Sequence, residues 1–201
     1  MNIVNLFPTP VCEKYLEPLS KTTLQKIYAY ETKPDWEFKI LQSKNTYILE
    51  QKPFKNLKKQ INYFIQEYVN VIIKPSKNLN FYITQSWLNY TGKKQIHYPH
   101  FHPNSIISGV YYISADPKLD YIRFKKNVYD QIKIYPSEFN IYNADTWWLP
   151  AETNKIILFP SSLMHEVGNV EKTYGKRISL AFNVFAKGDF GSKETLTELK
   201  I

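Results

Sequence analysis

From about residue 80 onward the sequence settles into a period of two. Phe81 to Tyr90, Ile106 to Ile113, Tyr121 to Phe124, Gln131 to Tyr135, Lys155 to Phe159 and Arg177 to Phe185 are rich in β-branched and aromatic residues. Gly, Pro, Asn and Asp bound them, as expected of short strands. No helical pattern intervenes, and a parallel sheet needs crossover helices. The segment therefore predicts an antiparallel sandwich or barrel.

The first eighty residues read differently. Ile3 to Phe7 is a short apolar stretch broken by Pro8 and Pro10. Ser20 is placed to cap a helix running to about Tyr30. A longer helix is expected from Pro53 to Ile73, because Phe54, Leu57, Ile61, Phe64, Ile65, Tyr68 and Ile72 recur at helical spacing. With no repeat, low-complexity tract or linker, residues 1–201 are expected to form one domain. Residues 1–80 would be a mostly helical cover packed on one face of a β core formed by 81–201.

Composition narrows the function classes. A chain of 201 residues with 43% hydrophobic residues has enough apolar material for a core without a covalent staple. Cys12 is the single cysteine, which excludes an internal disulfide and a cysteine-based zinc cluster. No run of ~20 apolar residues exists to span a bilayer, and Met1 to Cys12 does not read as a signal peptide. The expectation is a soluble cytoplasmic protein without membrane association. The net charge of +8 raises the question of nucleic acid. Only Arg123 and Arg177 among the 26 basic residues are arginines, however, and the lysines are scattered. Phosphate readers favour the planar arginine fork, so a dedicated nucleic-acid role is disfavoured.

The four histidines carry the chemistry. His97, His100 and His102 fall in HYPHFHPNS, and His165 lies in FPSSLMHEV. Pro99 and Pro103 disfavour a helix. In extended chain, residues i and i+2 point the same way, so His100 and His102 can converge. A third imidazole from a distant strand would complete three positions of a metal shell and leave others open, as in catalytic sites. His97 is expected at the pocket mouth or on the surface. In RISLAFNVF, alternation puts Arg177, Ser179, Ala181 and Asn183 on one face and Ile178, Leu180, Phe182 and Val184 on the other. An arginine followed two residues later by serine is suited to hold a carboxylate. Arg123 has no such companions and reads as structural or solvated.

These blocks, HxHPNSxxSGVYYI, LFPSSLxHxV and RISLAFN, resemble the iron(II)- and 2-oxoglutarate-dependent oxygenase superfamily. The nearest likeness is its small bacterial and phage branch, whose chains begin with an LFPTPV-like segment, here Leu6 to Val11. SWLN at Ser86 to Asn89 fits too, so the resemblance runs in order across nearly the whole chain. It implies a double-stranded β-helix, a jelly roll with N-terminal helices on one face. It also implies an Fe²⁺ site with 2-oxoglutarate and O₂ as cosubstrates, in which oxidation of 2-oxoglutarate to succinate is coupled to hydroxylation of a substrate. By this resemblance His100 and His165 are metal ligands and Arg177 with Ser179 binds the far carboxylate of 2-oxoglutarate. Asn89, Tyr112 and Asn183 are counted with the cosubstrate site. Trp87, His97, Asn104 and Trp147 are counted with the substrate pocket, with Trp148 and either Tyr111 or Tyr112 as further wall candidates.

The superfamily usually has His-x-Asp or His-x-Glu, whereas this chain has His102 at the second position. With His102 as ligand the shell holds three neutral imidazoles. The other register pairs His102 with Asn104 and leaves His100 outside. Two rival functions stay open: a cupin-like three-histidine enzyme that does not use 2-oxoglutarate, and a non-enzymatic basic module that binds nucleic acid. The primary substrate is not readable, and a homodimer is compatible with jelly-roll edges.

Overall fold

The computed structural model describes residues 1–35, 40–92, 95–126, 132, 134–167 and 176–201. Ser20 caps α1 (Lys21–Tyr28), its hydroxyl accepting from the Thr23 amide at 3.2 Å. A 3₁₀ turn at Lys52–Phe54 leads into α2 (Lys55–Tyr68), which ends in a wider π turn over Val69–Ile73. The apolar stripe of α2 behaves as its spacing dictates: Leu57, Ile61, Phe64, Ile65 and Tyr68 are buried. Ile72, in the π turn, is exposed.

Among the described residues, eleven strands form two antiparallel sheets. They are β1 (Cys12–Tyr15), β2 (Thr32–Asp35), β3 (Ile40–Ser43), β4 (Asn80–Thr91), β5 (His97–His100) and β6 (Ile107–Ser114). The others are β7 (Tyr121–Lys125), β8 (Thr146–Pro150), β9 (Lys155–Pro160), β10 (His165–Val167) and β11 (Arg177–Lys187). The large sheet runs β1-β9-β6-β11-β4-β3-β2 and the small one β5-β10-β7-β8. From β4 onward the chain passes back and forth between the sheets, the winding of a double-stranded β-helix.

Alternation along the large sheet separates two cores. Leu88, Tyr111, Leu158, Ile178, Leu180, Phe182 and Val184 point outward and pack with the buried face of α2. Tyr112, Ile157 and Phe159 point inward and meet Ile122 and Phe124 of the small sheet. The expected helical cover is therefore present on one face, and residues 1–80 also add β1, β2 and β3 to the edges of the large sheet. The strand expected at Gln131 to Tyr135 lies partly outside the described residues. Ile132, Ile134 and Tyr135, which are described, are exposed and not in a strand.

Candidate metal centre

Strand pairing brings the histidines together. His165 on β10 is the direct cross-strand partner of His100 at the end of β5. His102 lies two residues beyond His100, and its backbone amide donates to the Ser161 carbonyl at 3.0 Å, which ties this loop to the end of β9. Each of His100, His102 and His165 offers one ligand nitrogen, and these three atoms lie within 4.8 Å of one another.

Two of the rings are oriented by the backbone. His100 Nδ1 is 2.7 Å from the Tyr98 carbonyl and His165 Nδ1 is 2.9 Å from the Leu163 carbonyl. A carbonyl only accepts, so each Nδ1 carries the proton and Nε2 keeps its lone pair, as metal-binding histidines require. The Phe159 ring packs edge-on against His165 at 4.6 Å and Trp87 stands 6.0 Å from His102. Burial lowers the pKa of His102 to about 4 and that of His165 to about 3, helped by the neighbouring His100. Both are therefore neutral near pH 7, and a metal would not have to displace protons from them.

The cleft beside this cluster encloses about 490 Å³ including its open mouth. Its floor is the inward face of three adjacent strands, with Asn89 of β4, Ser179 of β11 and Tyr112 of β6 in one cross-strand row. Trp87, Ala181 and Val110 form the next row. Arg177 stands opposite Thr91 and donates from Nη2 to Thr91 Oγ1 at 3.1 Å. Asn89 Oδ1 and Tyr112 Oη are buried and have no hydrogen-bond partner among the described residues. Burial raises the Tyr112 pKa and keeps it a neutral hydroxyl. Buried polar atoms left without partners are rare, and here they face a cleft that also presents a buried guanidinium.

The positions named from sequence divide clearly. Arg177, Ser179, Asn89, Tyr112, Trp87 and His97 all line the cleft. The His97 ring lies 4.6 Å from that of His100, tilted by 41°, and burial lowers its pKa to about 2. Asn183 does not join them: its Oδ1 accepts from Ser108, which is linked onward to Ser161 and Ser105. The six residues from Arg177 span about 20 Å of strand, too far for both to hold one small acid. Asn104 sits in a turn with φ of 54° and is exposed. Trp147 and Trp148 lie on β8, the edge of the small sheet, and are 43% and 56% exposed. Neither lines the cleft. Tyr111 points into the helix-facing core and donates to Asn154. Arg123 is structural, paired with Glu166 at 2.7 Å. Sequence reading missed Thr91, whose role depends on a strand register that the sequence does not reveal. It also missed Asp120, which looks like an ordinary turn residue.

Residues 85–183, which contain all three clustered histidines and Arg177, match the family described as "Putative 2OG-Fe(II) oxygenase". Over these residues the chain is a 2OG-Fe(II) oxygenase. Solved structures with the same fold include a 2OG-Fe(II) oxygenase family oxidoreductase from Burkholderia pseudomallei. It has a TM-score of 0.53 and 12% identity, over 86% of this chain and 83% of that one. A Pseudomonas putida prolyl-4-hydroxylase has a TM-score of 0.56 and 11% identity, over 87% and 92%. HygX from Streptomyces hygroscopicus, crystallised with nickel, 2-oxoglutarate and hygromycin B, has 0.58 and 11%, over 88% and 82%. No curated protein matches the sequence.

The residues of this oxygenase fit the iron and 2-oxoglutarate that the family uses. Three converging imidazoles are a suitable donor set for a divalent first-row metal. The two partnerless atoms and the buried arginine of the cleft suit an anionic, oxygen-rich ligand. No helix among the described residues is long and apolar enough to cross a membrane.

Proposed function

We propose that His100, His102 and His165 hold the ferrous ion of this oxygenase and that Arg177, Ser179, Asn89 and Tyr112 hold 2-oxoglutarate. The observation that carries the reading is the placement of three ligand nitrogens within 4.8 Å beside a buried, strand-mounted arginine. Bound iron, with 2-oxoglutarate and dioxygen, would supply an oxidative decarboxylation that yields succinate, CO₂ and a hydroxylated substrate. The Tyr98 and Leu163 carbonyls fix two imidazoles in the tautomer that presents Nε2. Arg177 and the Ser179 hydroxyl meet the far carboxylate of the cosubstrate, with Thr91 steadying the guanidinium. Asn89 and Tyr112 gain from it the polar contacts they lack among the described residues. Phe159 and Trp87 wall the metal corner and limit its access to water.

An anaerobic titration of metal-free protein with Fe²⁺ and then 2-oxoglutarate tests this, with the weak visible charge-transfer band of the chelate as signal. Wild type should give the band and His102→Ala should lose it. Arg177→Ala should need roughly a hundredfold more 2-oxoglutarate, the scale expected when one partner of a buried charge pair is removed. A band that survives in His102→Ala would overturn the three-histidine shell. Unchanged 2-oxoglutarate demand in Arg177→Ala would overturn the cosubstrate assignment and favour a three-histidine enzyme that does not use it.

A further inference from the structure

Besides Arg177, the charged groups buried among the described residues are Lys155, whose carboxylate partners are Glu152 and Glu13, and Asp120. Asp120 is the one carboxylate among these residues that is fully buried, at 1% exposure. It ends the turn between β6 and β7 and is fixed there at three points. Its amide donates to the Asp116 carbonyl at 2.7 Å, its Oδ2 accepts from the Asp116 amide at 2.8 Å, and its carbonyl accepts from Ala151 at 2.9 Å. Its Oδ1 lies 3.8 Å from Arg177 Nη1. Arg177 lines the cleft and Asp120 does not, so the guanidinium stands between the cleft and this carboxylate.

Formal charges give the arrangement its meaning. In the usual shell of two histidines and a carboxylate, the ligand carboxylate balances the arginine while the dianionic cosubstrate balances the ferrous ion. Three neutral imidazoles omit that negative charge, and an uncompensated charge in a water-poor site is costly. We propose that Asp120 is the counter-ion of the cosubstrate site, balancing Arg177 in the free enzyme and supplying to the loaded enzyme the negative charge absent from its three-histidine shell. This inference rests on the ligand set proposed above. Asp120 acts through Arg177 and through the field of the site, so it is a positioning and charge-setting residue.

Asp120→Asn keeps the shape, and its amide oxygen can still accept from Asp116. The site becomes one unit more positive, so the sign of each effect follows. Nickel-loaded Asp120→Asn should bind 2-oxoglutarate on the order of tenfold more tightly than wild type, while Ni²⁺ alone should bind the apoprotein more weakly. Both are read by anaerobic calorimetry on the intact chain. A residue needed only for the fold would weaken both. Equal or weaker 2-oxoglutarate binding by folded Asp120→Asn overturns the proposal.

If Asp120→Asn does not fold, the double variant with Arg177→Gln decides. Recovery of folding shows that the uncompensated arginine was the fault and supports the pairing, whereas continued failure overturns it. Wild type and Arg177→Gln run alongside. No binding of 2-oxoglutarate by wild type, or equal binding by both, overturns the cosubstrate reading and this inference with it. An effect of Arg177→Gln without the predicted effect of Asp120→Asn overturns this inference alone.

Discussion

Replacing Gly109 with alanine adds a single methyl group where the large sheet has no room for one. Gly109 sits on β6 with Phe182 of β11 on one side and Leu158 of β9 on the other. A Cβ at this position would lie 2.2 Å from Phe182 Cζ and 2.7 Å from Leu158 Cδ2. Carbon atoms in contact prefer about 3.5–4.0 Å, so the shortfall at the ring exceeds an ångström. Neither neighbour has any exposure, and both are wedged beneath α2, so neither can swing into solvent. Overpacking of this kind costs roughly 1–3 kcal/mol. Alanine is intrinsically better than glycine inside a strand by about 0.5–1 kcal/mol, which offsets part of the cost. An overlap this large puts the cost toward the upper end of that range, so the net loss should be about 1–2 kcal/mol, or about 2–8 °C in Tm for a chain of this size.

Scanning calorimetry on wild type, Gly109→Ala, Phe182→Leu and the double variant measures it. The smaller leucine side chain opens space for the new methyl, so the double variant should be less destabilised than the two single losses added together. A Tm for Gly109→Ala within about 1 °C of wild type, or above it, would refute the close-packing argument. Additive losses would show that the ring of Phe182 is not what the methyl meets.

Three further outcomes follow from the site. His97, His102 and His165 have folded pKa values lowered to about 2, 4 and 3, below the unfolded value near 6.5, so the unfolded chain binds more protons. Metal-free protein should therefore lose stability as pH falls below about 6.5, by up to about 1.4 kcal/mol per pH unit from His165 alone, in urea titrations at pH 7 and pH 5. A flat profile would mean that these rings are not held neutral. Asn89→Ala removes an amide whose oxygen lacks a partner among the described residues. Stability without cosubstrate should change by less than about 0.5 kcal/mol while 2-oxoglutarate affinity drops about tenfold, both read from thermal shifts. Asn183→Ala should do the reverse, costing about 1 kcal/mol through its lost bond to Ser108 and leaving 2-oxoglutarate affinity within about twofold.

Legibility of the sequence tracked how local the cause was. The α2 stripe and the β4, β6, β9 and β11 runs were readable because burial on one or both faces writes its period directly into the residues. β2 and β3 were not, since TKPD and ILQS are short and carry no strong alternation. Most of the metal corner was readable because an i, i+2 histidine pair in extended chain converges whatever the sheet does elsewhere. Asn183 was misplaced because alternation fixes the face of a residue but not its distance along the strand. Trp147 was misplaced because its strand lies at a sheet edge. Asp120 gave no signal, since its meaning depends on a guanidinium 57 positions later in the sequence that only the fold brings near.

The two halves of the site are built on supports of unequal firmness. Asn89, Tyr112 and Ser179 lie on strands of eight to twelve residues at the centre of the seven-stranded sheet. His100 and His165 lie on strands of four and three residues in the smaller one. Amide exchange at the first set should require near-global unfolding, whereas the short β5 and β10 pairing can open alone at lower free energy. A metal bridging those two strands would act as a clasp, converting a separately breathing corner into part of the same cooperative unit as the floor. Exchange at His100 and His165 should slow far more on metal addition than exchange at Asn89 or Ser179, so the cation would complete the rigidity of the barrel as well as its chemistry.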